Sequence, residues 1–489
     1  MPSRFEEGTV YLTADGHRSN DFESYIFVSK DFGQTWQSAV ANLKGESVKT
    51  LTEDQKNPDV LYIGTETGLF VSLDRAKSWR RIKANLPTVR IDEITLHPRD
   101  NAMVLATHGR TIWILDHLEP IQEYAAAQAA ATDAKLFTSP PSSMYRRPAR
   151  DRNYEFWGDH TFYGENPPQA AVISWLNKKQ VGEVSLKMTD AAGREVRALS
   201  GAAFANSNKA GIQSACWDLR VQPVPAPPPQ EGRGRGRGER GQAAEGGGRG
   251  QAQESPYGAA CPPLQPVGGG GGFGGGGAQL GGPYVIGGVY TVSLVVDGKT
   301  VDSKPLRVAD DPEVVLTSAD RKRQYDMAME MHALQPRVTE AGTAFGSLNR
   351  QVTELTTTAA GRSDVPADVK GQLEAFKKEL DGLAPRLAIP QGGRGGGGGG
   401  RGNNESLTGK VGQAKNGFMS GMVVGEQTLR AYTEVKSQTP KAVTDLNAAI
   451  AKATTLSATL AKYNLTLTVP QPVKAIEAAP ARKPSVNPK

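Results

Sequence analysis

From Gly8 to about Pro120 apolar and polar residues alternate in short runs separated by turn residues: TVYLTADG, YIFVSKDFGQTW, VLYIGTETGLFVSLD and MVLATHGRTIWILD. Runs of this kind at regular short spacing predict antiparallel sheet. More strands are predicted in NYEFWGDHTFYGENPPQAAVISWLN, VGEVSLKMTDAAGREVRALS, AGIQSACWDLR and GGVYTVSLVVDGKTVDSKPLRVADDP, with AAGRE and DGK as hairpin-like turns. Beyond Thr317 the period lengthens. Met327, Met331, Leu334, Val338, Ala341, Phe345, Leu348, Val352 and Leu355 are spaced alternately four and three apart, and Val369, Leu373, Phe376, Leu380 and Leu383 follow the same rule. This predicts the seam of a helical hairpin or bundle. Pro336 lies inside the first run and predicts a kink or break there. Helices are expected to resume around Glu426 to Tyr432 and Lys441 to Tyr463.

Two of the early runs repeat. Ser29, Asp31, Gly33, Thr35 and Trp36 in SKDFGQTW align with Ser72, Asp74, Ala76, Ser78 and Trp79 in SLDRAKSW at an offset of 43, and TIWILDH puts Asp116 at an offset of 42 from Asp74. Such a period is the length of a four-stranded propeller blade. The repeated residues make sense as a turn device. A carboxylate at Asp31 accepts backbone N–H bonds across a tight strand connection, Gly33 permits positive φ, and Trp36 is expected to pack between blades.

The pattern S-x-D-x-G-x-T-W, complete from Ser29 to Trp36, resembles the Asp-box (BNR repeat) of sialidase-like and sortilin-like propellers. Together with DVLYIGTETGLFVSLDRAKSWRRIKANLP and ATHGRTIWILDHLEPI, the chain resembles bacterial exported proteins described as sortilin (Vps10)-like or BNR-repeat "glycosyl hydrolase" proteins. The later order of strands, a glycine-led strand ending in W-D before a G-x-Y-x-V strand, resembles an immunoglobulin-type (FlgD-like) sandwich. Trp217 would be its core aromatic and Tyr290 would lie on the partner strand. These resemblances imply a multidomain β plus α chain. Terminal propeller blades would occupy residues 1–120, a linker 121–150 and the sandwich 151–316, with a disordered Gly/Arg/Pro-rich insertion at 224–283. A helical bundle at 317–468 with a Gly-rich loop at 392–402 would follow, then a disordered tail at 469–489. Closed propellers need about four to eight blades, more than 120 residues with a period of 43 can supply. The chain is therefore expected to be the C-terminal portion of a longer protein, or its propeller to be completed by another chain.

Composition changes this picture little. The 489 residues suit three or four domains at roughly 100 to 200 residues each. Of 56 glycines, 21 lie in Glu231–Gly282 and 9 in Gly392–Gly402, so disorder is expected to be local. A net charge of +6 does not by itself imply nucleic acid. The Gly/Arg stretch GRGRGRGERG admits an RNA-binding reading, but Glu231–Gly282 holds five arginines against four glutamates and few aromatics. No apolar run approaches a membrane span, and MPSRFEEGTVYL lacks the pattern of a signal peptide. Export is thus an expectation from family resemblance, to the periplasm or the outside of the cell.

Candidate chemistry is sparse. The six histidines, His17, His97, His108, His117, His160 and His332, show no zinc-ligand spacing, and neither a metal nor a cofactor is expected. No nucleophile motif is present, and the carboxylates Glu66, Asp92, Glu93 and Asp116 are not paired by the sequence. The most distinctive polar cluster is His108, Arg110 and Trp113 in ATHGRTIWILD. Arg110 would either hold an anionic ligand with His108 beside it, or pair internally with Asp116. HRSND at His17–Asp21 and GDHTFYGENPP at Gly158–Pro168 read as loops, where binding residues are commoner. The two cysteines, Cys216 and Cys261, flank much of the insertion; they fit either a disulfide in an oxidising compartment or two unrelated thiols. The expected function is non-catalytic binding of a peptide, protein or glycan. The alternative is a glycoside hydrolase of the sialidase-like superfamily whose catalytic carboxylates lie mainly outside these blades.

Overall fold

The computed structural model describes residues 1–144, 170–225, 261, 281–312, 314–389, 406–419 and 423–475. His160, the Gly158–Pro168 loop, the start of the strand segment at Asn153, most of the 224–283 insertion, the Gly392–Gly402 loop and the tail beyond 475 lie outside the described residues.

The N-terminal region is a stack of three antiparallel sheets. The first holds β1 (Val10–Ala14), β2 (Tyr25–Ser29) and β3 (Gln37–Ser38); the second holds β4 (Val48–Glu53), β5 (Leu61–Thr65), β6 (Leu69–Ser72) and β7 (Arg80–Ile82). The third holds β8 (Ile91–His97), β9 (Ala102–Thr107) and β10 (Ile112–Leu115). Strand β4 packs against β1 on one side and β8 on the other. Alternation explains the stacking. Leu61, Ile63 and Phe70 face Tyr11 and Ile26 of the first sheet, while Tyr62, Leu69 and Val71 face Ile91, Ile94, Met103 and Leu105 of the third.

The same rule leaves both ends of the stack open. Ile112 and Ile114 stand 43 positions after Leu69 and Val71, yet they are 67% and 64% exposed. At the other end Leu12 lies opposite Phe27, the counterpart of Phe70, and is also exposed.

The chain then forms helices α1 (Glu119–Gln122) and α2 (Tyr124–Ala129) and strands β11 (Ala134–Leu136) and β12 (Ser142–Met144). The described part of the expected linker, through Met144, is therefore built into the fold. Ala134, Leu136 and Phe137 are buried, and Asp302 binds both Lys135 Nζ (3.0 Å) and the Leu136 N–H (2.9 Å). Strands β13 (Ala171–Asn177), β14 (Val184–Thr189), β15 (Glu195–Leu199), β16 (Gly211–Trp217), β17 (Gly288–Val296) and β18 (Lys299–Asp310) complete two sheets. One has the order β11-β13-β16 and the other, a curled sheet, β12-β18-β17-β14-β15, with β12 parallel to β18. They share one core. Trp217 of β16 meets Tyr290 of β17 edge to face, with ring centroids 5.4 Å apart, and both are buried.

Four helices follow: α3 (Ser318–Ala360), α4 (Ala367–Leu387), α5 (Leu407–Phe418) and α6 (Glu426–Ala461). The four-three seam is buried where it was expected, through Met331, Val338, Phe345, Leu348 and Val352 on α3 and Val369 to Leu383 on α4. Pro336 behaves unlike the expectation, and Pro440 behaves as Pro336 does. Helix α3 continues through Pro336 and α6 through Pro440, so each proline's lost backbone bond is outweighed by a seam packed on both sides of it. Helix α5 is an addition to the sequence reading. Its glycines hide it, and Gly417 is required there because a Cβ would lie 2.3 Å from Thr428 Oγ1 of α6. The chain from Pro470 to Ala475, expected to be disordered, lies on the helices instead, with Val473 buried. No helix among the described residues is long and apolar enough to cross a membrane.

Candidate functional site

The repeated turns come first because they fix the strand ends. After β2, Ser29 Oγ donates to Asp31 Oδ1 (2.7 Å) and receives the Gly33 N–H (2.8 Å), while Asp31 receives the Thr35 N–H (2.9 Å) and hydroxyl (2.6 Å). After β6 the same bonds recur. Ser72 Oγ donates to Asp74 Oδ1 (2.8 Å) and receives the Ala76 N–H (2.8 Å), and Asp74 receives the Ser78 N–H (2.9 Å) and hydroxyl (2.6 Å). The bonds from Thr35 and Ser29 hold the Asp31 carboxyl down at about 2. The two tryptophans differ, however. Trp79 is 3% exposed and donates its indole N–H to Ala39 O (3.0 Å), bridging the first two sheets. Trp36 is 40% exposed and bonds only back to Gly33 O (3.0 Å), so it does not pack between sheets as expected. In the third copy, β10 ends before Asp116 and His117 takes positive φ.

The opposite strand ends carry a row of charge across all three sheets. Asp15 follows β1, Lys49 lies in β4, Glu66 follows β5, Arg90 precedes β8, Asp92 lies in β8 and His108 follows β9. Lys49 Nζ sits 2.6 Å from Asp15 Oδ2 and 3.1 Å from Glu66 Oε2; Arg90 Nε sits 4.0 Å from Glu66 and 2.5 Å from Asp92; His108 Nδ1 sits 3.3 Å from Asp92. His17 Nδ1 closes the row at 2.6 Å from Asp15. The Lys49 side chain is only 5% exposed, so it is fixed in place, whereas His108 is largely open to solvent.

Asp15 shows how this row is tuned. Burial opposes its charge, but hydrogen bonds from Lys49, from Ser47 Oγ at 2.5 Å and from the His17 backbone and ring outweigh that, and its carboxyl lies far below the usual range. It is a fixed negative charge at neutral pH and cannot act there as a general acid. Behind the row, Glu46 accepts the hydroxyls of Thr65 and Thr67, both at 2.8 Å, and is bonded through its backbone to Ser24 of the first sheet.

The structure thus separates the residues singled out in ATHGRTIWILD. His108 joins the row, and Arg110 is exposed beside it at the tip of the β9–β10 hairpin, with no ion pair to Asp116 or any other residue among the described residues. Trp113 faces the other way. Its ring packs on the core between the second and third sheets, and its indole N–H braces the turn through Arg110 O at 2.9 Å. Glu66 and Asp92, unpaired in the sequence, are brought together through Arg90. Lys49, Arg90 and Asp15 escaped the sequence reading, although the period contained a signal: Lys49 and Asp92 are 43 positions apart, as are Ser47 and Arg90. No group of three or more His, Cys, Asp or Glu among the described residues could hold a metal ion.

Stacked sheets with a rigid, alternately charged face make a scaffold suited to binding. Residues 24–131, from just before β2 through α2, match the family model described as Sortilin-Vps10 (sortilin, neurotensin receptor 3). This stretch is similar to a sortilin-type, ligand-binding domain. No curated protein matches the chain.

Proposed function

We propose that the chain is an extracytoplasmic, non-catalytic binding protein for a peptide, protein or glycan ligand. In this reading the three N-terminal sheets are blades of a β-propeller, the Ser29–Trp36 and Ser72–Trp79 turns are Asp-boxes, and the two later sheets form an immunoglobulin-like sandwich. The observation that carries it is the row from His17 to His108, in which every carboxylate is held by a cation: Asp15 by Lys49, Glu66 by Lys49 and Arg90, Asp92 by Arg90. Such a face presents fixed charges to a ligand and leaves no carboxylate free of a cationic partner within the row. His108 and Arg110 are its exposed donors, available to a carboxylate or another anionic group of the ligand. The open faces at Leu12 and at Ile112 and Ile114 fit coverage by further sheets of the same repeat, supplied by the same or another chain. A bond between Cys216 and Cys261 suits an oxidising compartment.

The test is a titration of arrayed peptides and oligosaccharides against the wild type and the Arg110→Ala and His108→Ala variants. Binding that falls at least tenfold (about 1.4 kcal/mol) without a change in melting temperature is expected. Oligosaccharide turnover abolished by replacing Asp92 or Glu66 would instead make the protein a glycoside hydrolase.

A further inference from the structure

Two short legs of chain, Leu219–Gln222 and Pro283–Val285, flank the insertion and form its neck. They pair with each other: the Val221 N–H donates to Pro283 O and the Val285 N–H to Leu219 O, both at 2.9 Å, and Arg220 lies opposite Tyr284. Leu219, Val221 and Val285 are buried in the core of the two later sheets. The first leg also lies along β15, where the Gln222 N–H donates to Val196 O (2.8 Å) and Gln222 Oε1 accepts the Ala198 N–H (3.0 Å). The neck is thus fixed to the sheets by its own backbone.

The helices hold the same neck through basic side chains. His332 of α3 meets Gln222 O through Nε2 at 2.9 Å, and Lys415 of α5 donates to Gly281 O at 2.7 Å. A carbonyl oxygen can only accept, so Nε2 carries the ring's proton and the neutral ring presents Nδ1 as an acceptor. Nδ1 is buried and has no hydrogen-bond partner among the described residues. A second proton would therefore create a buried N–H with nothing to receive it.

The surrounding charges oppose that proton as well. Lys415 and Arg220 are cations, and Arg197 of β15, which donates to Val221 O at 3.3 Å, is a third. Asp218, at the foot of the neck, lies 3.9 Å from Arg197 Nη2. Arg220 stacks on the Tyr284 ring at 3.9 Å, and Tyr325 of α3 packs on the core of the later sheets. On α3 itself, Glu330 is held by Lys436 and Tyr432 of α6. Burial, the largest effect, lowers the His332 pKa from its ordinary 6.5; the Gln222 bond opposes this and the Lys415 charge adds to it.

We propose that His332 is an acid-operated latch between the helices and the neck, closed while its ring is neutral and opened when the ring takes a second proton. Opening turns the charged ring out to water, breaks its bond to Gln222 and loosens α3 from the neck. Because the ring is less basic in the closed form, the latch is complete above the ordinary histidine range and loses its hold as the pH falls below it. Each unit by which closure lowers the pKa allows the open population to grow by up to about tenfold in acid.

The experiment follows amide exchange in the full chain by mass spectrometry at pH 7.5 and pH 5, corrected for the intrinsic chemical rate. Peptides covering the two legs report the latch, and β17 serves as the internal reference. In the wild type, opening at Val221, Gln222 and Val285 is expected to increase about threefold or more at pH 5 relative to β17. His332→Gln keeps an N–H donor for the Gln222 carbonyl but does not titrate, and should remove that increase. Equal pH dependence in wild type and variant overturns the proposal, as does acid opening that affects β17 and the neck alike. If the variant fails to fold, the titration of the His332 ring in the wild type, read by NMR, decides. A midpoint below that of histidine in an unfolded chain supports the latch, and one at or above it overturns it, since acid would then tighten the contact.

Discussion

Ala76 stands in the second repeated turn where Gly33 stands in the first, and both hold a left-handed backbone, with φ +61° at Ala76 and +88° at Gly33. The two positions donate the same N–H···Oγ bond to the serine four residues earlier, so the turn tolerates a side chain only at the cost of backbone strain. Gly33→Ala is expected to destabilise the first sheet by about 1 kcal/mol, since left-handed backbone costs an L-residue roughly 1–2 kcal/mol. Space does not decide the matter, because the nearest atom to the new Cβ would be Trp36 Cζ2 at 3.6 Å. Ala76→Gly relieves the strain but removes a buried methyl worth about 0.8 kcal/mol and frees the unfolded chain. It should change stability by less than about 1 kcal/mol in either direction. Urea unfolding followed by tryptophan fluorescence measures both, and a strongly stabilising Gly33→Ala would refute the account.

Acid should loosen the same turns. The Thr35 and Ser29 bonds place the Asp31 pKa at about 2, and bonds from Ser78 and Ser72 lower that of Asp74 against an opposing effect of burial. Both groups are more acidic folded than unfolded. Their contribution is therefore complete above the ordinary carboxylate range, about pH 4, and is lost as the pH falls through it towards 2. Asp31→Asn and Asp74→Asn should lower stability at pH 7 and flatten its dependence below pH 4. Parallel acid titrations of wild type and variants would count against this role.

Reduction should act on the later sheets. The Cys216–Cys261 bond spans 45 residues, and closing a loop of that length removes unfolded-state entropy worth roughly 4 kcal/mol. It also anchors Cys261 against Val172 and Ala170 at the end of β13. Dithiothreitol or Cys216→Ser with Cys261→Ser is expected to lower the unfolding midpoint of this region, and its unfolding free energy by a comparable amount, with the thiol count checked by mass spectrometry. An unchanged midpoint in the doubly substituted chain would remove the bond from the account of stability.

The sequence made the periodic features legible and the contingent ones obscure. Residues such as Val338, Phe345 and Leu373 revealed the helices because burial follows from spacing alone. Ser29 and Asp31 revealed their turn because its bonds span at most four residues. The charged row joins residues far apart in the chain, such as Asp15 to Lys49 and Arg90 to Glu66, and no local pattern encodes such pairs. Helix α5 and the packed chain from Pro470 to Ala475 stayed hidden for a related reason. Glycine and proline read locally as loop, and only packing against α3 and α6 makes Gly417 helical and Val473 buried.

Lys415 should make stability rise with alkali, against the usual trend for lysines that gain an acidic partner. Its side chain is fully buried on α5, and Nζ donates to Gly281 O at 2.7 Å and Gln335 Oε1 at 2.5 Å, joining α5 to α3 and to the segment that precedes β17. Arg220, which donates to the adjacent Gly282 O at 3.0 Å, and His332 of α3, which meets Gln222 O at 2.9 Å, are the neighbouring basic groups. Burial first, and then the Arg220 charge, bring the Lys415 pKa down to about 8. An unfolded lysine titrates near 10.4, so between pH 8 and 10 the unfolded chain holds a proton that the folded chain has released. Stability therefore rises with pH across that window, by on the order of 3 kcal/mol at most. Ionisation of buried tyrosines such as Tyr290, pushed up to about 12, opposes it only above pH 10. Urea midpoints at pH 7, 8, 9 and 10 test this. The wild type should gain stability across the series, while Lys415→Met, which has nothing to deprotonate, should lose that slope; a wild type that weakens steadily from pH 7 to 10 would show that the lysine keeps its charge in the folded state.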